Sequence, residues 1–354
     1  IQMALLAYRF PKVWIFGLLT LCDILCIVLW THGYSLVYEH LFPPRKILFV
    51  YGNEKMLELL NKLEKREDRY HIEKVVSVGV GDEEILRLAE LYDGVMLCDI
   101  ATSSRNYLLK ECFERSIRVY MTPKISDILV RSSQEMHTFD TPLLLSKNSG
   151  PTLEQQIAKR CLDVVVSFFM LLLASPLMFL VALAVKLYDG GNIIYKQKRL
   201  TIGGKEFYVY KFRSMRMDAE KDGVARLASE NDDRITPVGR LIRMTRLDEF
   251  PQLINVLKGE MSLVGPRPER PEIAEKYEEW LPQFKTRLKV KAGLTGYAQI
   301  YGKYNTTPYD KLKLDLIYIQ NYSFFMDLKL LLLTVKILFM KESTEGVSSS
   351  KEEE

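Results

Sequence analysis

Apolar and polar positions along the chain fall into three regimes, and the first is a nearly continuous apolar run. Val13 to Trp30 is interrupted only by Thr20 and Asp23 and continues to about Val37, long enough to cross a bilayer with tilt. A buried core helix is the alternative reading of this run. Asp23 is costly in lipid and is expected to face another helix or to lie near an interface. Ahead of it, Ile1 to Ala7 is a short apolar scrap without an initiator methionine, which reads as the end of a membrane segment whose beginning is missing. Residues 1–42 therefore form a membrane region with one full transmembrane helix at about 13–37.

Pro43 to Lys46 punctuates the exit, and the second regime alternates short strand and helix periods. Strands are expected at 46–50, 75–80, 95–98 and 118–121, and helices at 54–66, 83–92 and 103–116. Such alternation predicts an open parallel sheet with helices on both faces, over residues 43–130. Gly52 closes the first strand alone, far short of the three-glycine dinucleotide fingerprint, so no nucleotide is assigned to this sheet. From Arg131 to Gly150 periodicity is lost and Ser, Thr, Pro and Gly accumulate, which marks a linker at 131–153.

The third regime opens with a second apolar stretch, Leu162 to Leu187, broken by Ser175-Pro176. Lys159-Arg160 stand before it and Lys186, Lys196, Lys198 and Arg199 at its far end, so positive charge on both flanks gives no orientation for a spanning helix. A re-entrant helix over 159–188 that turns back at Pro176 satisfies both flanks. Proline frees the carbonyl one turn earlier, a cost of about 3 kcal/mol in an ordinary helix, and the Ser175 hydroxyl can serve that carbonyl. Asn192 to Met215 then alternates around Gly203-Gly204, a β-hairpin that delivers Lys211 and Arg213 at its end. Edge-strand protection and anion binding both fit those two cations.

Further on, Met217 to Asp233 reads as a polar loop, and Glu272 to Trp280 as a charged helix setting Tyr277 and Trp280 at a lipid interface. Gly293, Gly296 and Gly302 surround Thr295 and Gln299, a spacing that suits either close backbone approach to a ligand or a plain turn. Phe324 to Met340 is apolar with Lys329 and Lys336 seven apart, the pattern of a helix lying in an interface. A disordered acidic tail closes the chain at 342–354.

Composition narrows the partners. A net charge of +4 with 27% charged residues is too mild for nucleic acid, while the small cationic excess suits an anionic lipid surface. The five cysteines, Cys22, Cys26, Cys98, Cys112 and Cys161, include no CxxC pair, which argues against a disulfide framework or a zinc site and for a reducing cytosolic face. All four histidines, His32, His40, His71 and His137, precede the third regime, so neither a Ser-His-Asp triad nor a Cys-His pair fits within the C-terminal half. Carboxylates, with or without a metal, must carry its chemistry.

The one stretch that concentrates such groups is Thr245 to Gly265, TRLDEFPQLINVLKGEMSLVG. Asp248 sits where an N-cap belongs, Pro251 fits a first turn, Leu253, Ile254 and Leu257 form a stripe, and Gly259 stops the helix. Asp248 and Glu249 are thereby placed at a helix N-terminus. Arg240, Arg243 and Arg246 recur every three residues upstream, and Gly265 to Pro268 (GPRP) adds Arg267 downstream. An ordinary cap and a solvated arginine face account for each part singly. Together they suit a phosphorylated, metal-bound substrate.

Four strings in this half match a family: YKFRSM (210–215), RLDEFPQL (246–253), GEMSLVGPRP (259–268) and KAGLTGYAQ (291–299). In order and spacing, the stretch from about Lys159 to Met340 resembles the bacterial sugar transferases, monotopic phosphoglycosyl transferases that start glycan assembly on a polyprenol carrier. Where family patterns often read Pro-Gly-Ile-Thr-Gly-Trp, this chain has Ala292, Leu294 and Tyr297, which removes the tryptophan stack.

The resemblance implies an α/β membrane protein of the long form. Its parts are a transmembrane helix, a Rossmann-like regulatory or dimerisation domain, and a mainly helical transferase domain at 154–341 with the re-entrant helix and the β-hairpin. It implies transfer of a sugar-1-phosphate from a UDP-sugar to polyprenyl (undecaprenyl) phosphate with release of UMP, on the cytosolic face of a bacterial cytoplasmic membrane. Asp248 would be nucleophile and ligand of Mg2+ (or Mn2+), and Glu249 its partner. Lys211, Arg213, Arg243, Arg246 and Arg267 would contact phosphates, with Pro266, Pro268, Thr295 and Gln299 lining the site. Expected partners are UDP-sugar, polyprenyl phosphate, the phospholipid membrane and a second copy in a homodimer. A glycosyltransferase that releases UDP and a non-enzymatic membrane scaffold are the alternatives.

Overall fold

The computed structural model describes residues 13–63, 70–138, 140–146, 150–217, 219, 232–302 and 306–338. The apolar scrap before Val13, most of the polar loop at 217–233 and the acidic tail lie outside these residues. The chain divides into two compact units, Ile1–Thr122 and Pro123–Glu354.

The first unit opens with helix α1 (Val13–Leu41), whose segment Gly17–Tyr38 is long and apolar enough to cross a membrane and buries none of its side chains. Four strands follow, β1 (Arg45–Tyr51), β2 (Tyr70–Ser77), β3 (Gly94–Cys98) and β4 (Arg118–Met121). They form an all-parallel sheet in the order β2-β1-β3-β4. Side chains alternate across it with a period of two. Leu48, Val50, Val95 and Leu97 point to the face covered by α3 (Asp82–Ala89) and α4 (Thr102–Glu114), against Ile85, Leu86, Leu108 and Cys112. Ile47, Phe49, Met96 and Cys98 point to the other face, against Leu59, Leu60 and Leu63 of α2 (Leu57–Leu63). Both faces are covered, as the alternating periods require. Gly52 has a steric rather than a ligand-binding reason: a Cβ there would stand 2.2 Å from the Asp99 carbonyl oxygen at the neighbouring strand end.

The second unit begins with α5 (Ile125–Arg131), whose Ile128 is buried against Leu281, Phe284, Leu312 and Leu316. The stretch expected as a linker contains an antiparallel hairpin, β5 (Gln134–Thr138) with β6 (Thr141–Leu145). Helix α6 (Leu153–Asp189) starts at a capping box between Thr152 and Gln155 and ends at Gly190 in the left-handed region. A break was expected at Ser175-Pro176, yet the helix runs through without interruption. The Leu172 carbonyl, which Pro176 leaves without its helical donor, accepts the Ser175 hydroxyl at 2.8 Å, so the gap in the ladder is closed by a side chain.

Both arms of α6 pack on the same unit. Lys159, Asp163 and Ser167, four apart on one face, are buried at its N-terminal arm, while Val181 and Val185 meet Phe212 and Ile242 at the other. Its middle exposes Phe168, Phe169, Leu172, Leu173, Phe179 and Leu180.

The hairpin β7 (Ile194–Leu200) and β8 (Glu206–Phe212) follows, turning at Gly203 and Gly204, both with positive φ. The elements around the motifs are short: α7 (Pro237–Met244), a 3-10 turn at Leu247–Glu249, α8 (Gln252–Lys258), and β9 (Ser262–Val264). After them come α9 (Pro271–Trp280), a 3-10 stretch at Pro282–Lys289 and β10 (Gly293–Thr295), which pairs in parallel with β9. Helices α10 (Tyr297–Tyr301), α11 (Pro308–Gln320) and α12 (Phe324–Leu338) complete the unit. Its main core joins Val209 of β8, Leu253 and Val256 of α8, Leu263 of β9, Tyr318 and Ile319 of α11 and Leu330 of α12.

Of two expectations about the surface, one needs correction. Tyr277 is packed against Phe284 at 5.1 Å within a core cluster, because the 3-10 stretch folds back onto α9, and only Trp280 of that pair is exposed. Helix α12 does present an exposed apolar stripe, Phe325, Leu328, Leu332 and Val335, with Lys329 and Lys336 exposed beside it. Its other face buries Asp327 and Leu330.

Candidate active site

Asp248 and Glu249 lie in the 3-10 turn between α7 and α8 rather than at an N-cap; Pro251 occupies the cap position of α8. The chain reaches this turn through Arg246, which holds φ at +54°, a left-handed conformation uncommon for a side-chain-bearing residue. That kink sets the turn off the axis of α7, and α8 then buries Gln252, Leu253, Asn255 and Val256 while Ile254 faces out. Gly259 ends α8 in the left-handed region, as its position demands.

The two carboxylates have unlike surroundings. Glu249 Oε1 is held by Lys211 Nζ at 2.8 Å and by Arg267 Nη2 at 2.9 Å. Among the described residues nothing hydrogen-bonds or pairs with the Asp248 carboxyl, which is nevertheless buried. Burial, and then the charge of Glu249, push Asp248 up to about 6, against the pull of Lys211, Arg243 and Arg267. Burial acts on Glu249 in the same direction, but Lys211 and Arg267 overcome it and hold that carboxyl well below the usual range. One carboxylate is thus tied and ionised, and its neighbour is left free for a ligand.

The fold accounts for each placement. Lys211 is delivered by β8, and β8 is pinned to α8 by Asn255, whose Oδ1 accepts the Tyr210 N–H at 3.0 Å and whose Nδ2 donates to the Tyr208 carbonyl at 2.7 Å. Arg267 is delivered by the GPRP loop, which follows β9. Glycines hold that loop against the next one: a Cβ on Gly293 would stand 2.1 Å from the Gly265 nitrogen, and one on Gly296 would stand 2.1 Å from the Gly265 oxygen. The close approach read from these glycines is therefore of chain to chain.

The remaining candidates spread outward. Arg243 lies near enough to lower the Asp248 carboxyl, and Arg246 forms the kink. Arg213 turns away and pairs with Asp189 at the end of α6. Pro266 and Pro268 share a small cleft with Arg267, Glu269, Phe284 and Arg287. Thr295 shares a hydrogen bond with Thr334 at 2.7 Å, and Gln299 donates to the Leu294 carbonyl at 3.0 Å. Sequence reasoning missed Asn255, Arg199, Glu269, Arg287 and Asp315, which hold the site from behind. Asp315 did leave a signal, since it falls on the buried stripe of α11 with Leu312, Leu316 and Ile319.

No group of three or more His, Cys, Asp or Glu side chains converges on a metal-sized site among the described residues. The donor set still fits Mg2+ or Mn2+, which is commonly held by one or two carboxylates with substrate phosphates and water making up the rest.

Comparison with known proteins adds the decisive observation: a family model described as bacterial sugar transferase matches residues 154–341, the span that holds the dyad and every cation around it. This chain belongs to the bacterial sugar transferase family. Relatives include the UDP-glucose:undecaprenyl-phosphate glucose-1-phosphate transferase of Escherichia coli (strain K12), 37% identical over 72% of this chain and 56% of the relative. A protein of the same name from Caulobacter vibrioides is 38% identical over 57% of this chain and 78% of its own length. The UDP-N-acetylgalactosamine-undecaprenyl-phosphate N-acetylgalactosaminephosphotransferase of Aeromonas hydrophila is 34% identical over 68% of this chain and 56% of that protein. The chain thus spans little more than half the length of two of these family members.

Proposed function

We propose that the protein is a membrane-bound phosphoglycosyl transferase that moves a sugar-1-phosphate from a UDP-sugar to polyprenyl phosphate and releases UMP. The observation that carries this reading is the split dyad, with Glu249 clamped by Lys211 and Arg267 and Asp248 unpaired and raised to about 6. The Asp248 carboxylate attacks the sugar-linked phosphorus, an aspartyl phosphosugar forms, and the bond to the UMP oxygen breaks. A phosphate oxygen of the polyprenol then attacks the same phosphorus and frees Asp248. Arg267 and Lys211, already aimed at the dyad, offset the negative charge that builds there. Mg2+ or Mn2+, held by Asp248 and the pyrophosphate, would supply further neutralisation.

Membrane attachment follows from α6 and α12. Both arms of α6 are fastened to the transferase unit, while its middle exposes a run of large apolar side chains around Ser175. The uninterrupted helix, held at both arms by one unit, would lie with its exposed apolar middle against the lipid surface, and the exposed stripe of α12 would meet the same surface. Single cysteines near Glu154 and Asn192, in a background lacking native cysteines, should both stay protected from an impermeant thiol reagent in intact cells. Labelling of only one would sink the one-sided attachment of α6.

The chemistry is tested by incubating the protein with labelled UDP-sugar alone. Labelled protein and UMP should appear before any acceptor is added. UDP as the product would favour a glycosyltransferase, and UMP that appears only with acceptor would overturn the two-step route.

A further inference from the structure

Arg267 is the only part of the GPRP loop that reaches Glu249, and the backbone of that loop is gripped from the opposite side. Arg287 Nη2 donates to the Arg267 carbonyl at 2.9 Å, and Arg199 Nη1 to the Pro268 carbonyl at 3.0 Å. Arg287 is 3% exposed and forks onto Asp315, 1% exposed, through Nε at 3.0 Å and Nη2 at 2.8 Å. Its Nη1 stands 3.4 Å from Glu269, which Lys311 also meets at 3.1 Å and Arg199 at 3.9 Å. Buried ion pairs are a poor source of stability beside an apolar replacement, so this cluster is better explained by what it holds in place.

We propose that Arg287, braced by Asp315, is a positioning residue that presents Arg267 to Glu249 and so fixes where the Arg267 guanidinium stands beside the dyad. The relay has three links: Asp315 of α11 fixes the Arg287 fork, Arg287 fixes the Arg267 backbone, and the Arg267 side chain meets Glu249. The inference rests on the reading of Asp248 as nucleophile. If the Arg267 backbone loosens, its guanidinium leaves the Glu249 contact, and the loss falls on the chemical step more than on substrate binding.

Arg287→Lys keeps the charge and loses the fork, and Asp315→Asn keeps the shape and loses the charge. Each should lower kcat by roughly a hundredfold, the effect of an ångström-scale misplacement, with KM little changed. Combining Arg287→Lys with Arg267→Lys should cost no more than Arg267→Lys alone, since both act through one contact. A loss confined to KM, or a double variant whose losses multiply, would overturn the relay. A crystal structure of the Asp315→Asn protein gives an answer independent of catalysis: Arg267 withdrawn from Glu249 supports the relay, and Arg267 still at that contact refutes it. If wild-type protein forms no labelled intermediate, the nucleophile reading fails, while that structure still decides the positioning role.

Discussion

The two units bury different kinds of residue. Among the described residues the first unit buries one charged or polar side chain, Arg105, while the second buries fourteen, including Lys159, Asp163, Asp248, Arg287, Asp315 and Asp327. Beyond its backbone ladders the parallel sheet packs through apolar side chains on both faces, the cheapest way to order a chain, because every buried polar group must recover its lost hydration through a partner. In the second unit those partners recur at functional places. Asp163 accepts from Ser262 Oγ and Leu263 N, Tyr318 donates to Asp327 at 2.8 Å, and Asn255 ties the Lys211 strand to the dyad helix. Buried polarity here marks the parts whose position matters to within a fraction of an ångström.

The largest test of that contrast is Asp248→Asn. Transfer and protein labelling should fall by at least roughly a thousandfold, measured as UMP release, because the nucleophile is removed. Stability should move the other way. The Asp248 carboxyl titrates near 6 when folded and near 3.8 otherwise, so the folded state binds the proton more tightly and loses stability as pH rises from about 4 through 6. An uncharged asparagine escapes that penalty and should gain about 3 kcal/mol at pH 7 in chemical denaturation. A loss of stability would mean that the carboxylate is structural.

Next in size is Lys159→Ala, which strands Asp327 in a buried site and should cost about 3–5 kcal/mol. Leu97→Ala in the sheet should cost about 2–5 kcal/mol through the cavity it leaves, yet transfer per folded molecule should be unchanged. If activity fell with it, the sheet would be part of the catalytic machinery and the contrast between the units would collapse. Ser175→Ala is the smallest, about 1 kcal/mol, from one carbonyl left without its donor.

Legibility in the sequence follows the same divide. Strands such as Val95–Cys98 could be read directly because a short continuous apolar run, buried on both faces of a parallel sheet, stands out between polar turns, and the hairpin at Gly203-Gly204 was marked by its turn. The dyad and its cations were legible as a cluster of charge in one short stretch. What could not be read was which cation meets which carboxylate: Arg213 stands in the motif with Lys211 yet pairs with Asp189, since β8 ends at Phe212 and the chain turns. Asp248 looked like a cap because local sequence cannot show that Arg246 adopts a positive φ. The supports, Arg287 and Asp315, lie 28 residues apart, and only the tertiary fold brings them together. Their trace was a charged residue on an otherwise apolar stripe, the same trace that Lys159 and Asp163 leave on α6.

That stripe also sets an order of events during synthesis. Lys159 waits for Asp327, 168 residues further along, and Asp163 for Ser262, 99 residues further along. At about 5–20 residues per second, the ribosome takes on the order of 10–30 s to supply Asp327 after Lys159 has emerged. Throughout that interval Lys159 and Asp163 stand on the helix before their folded-state partners have been made. The N-terminal arm of α6 is therefore secured only once α12 has been synthesised, so the unit closes last at the place where its first long helix began.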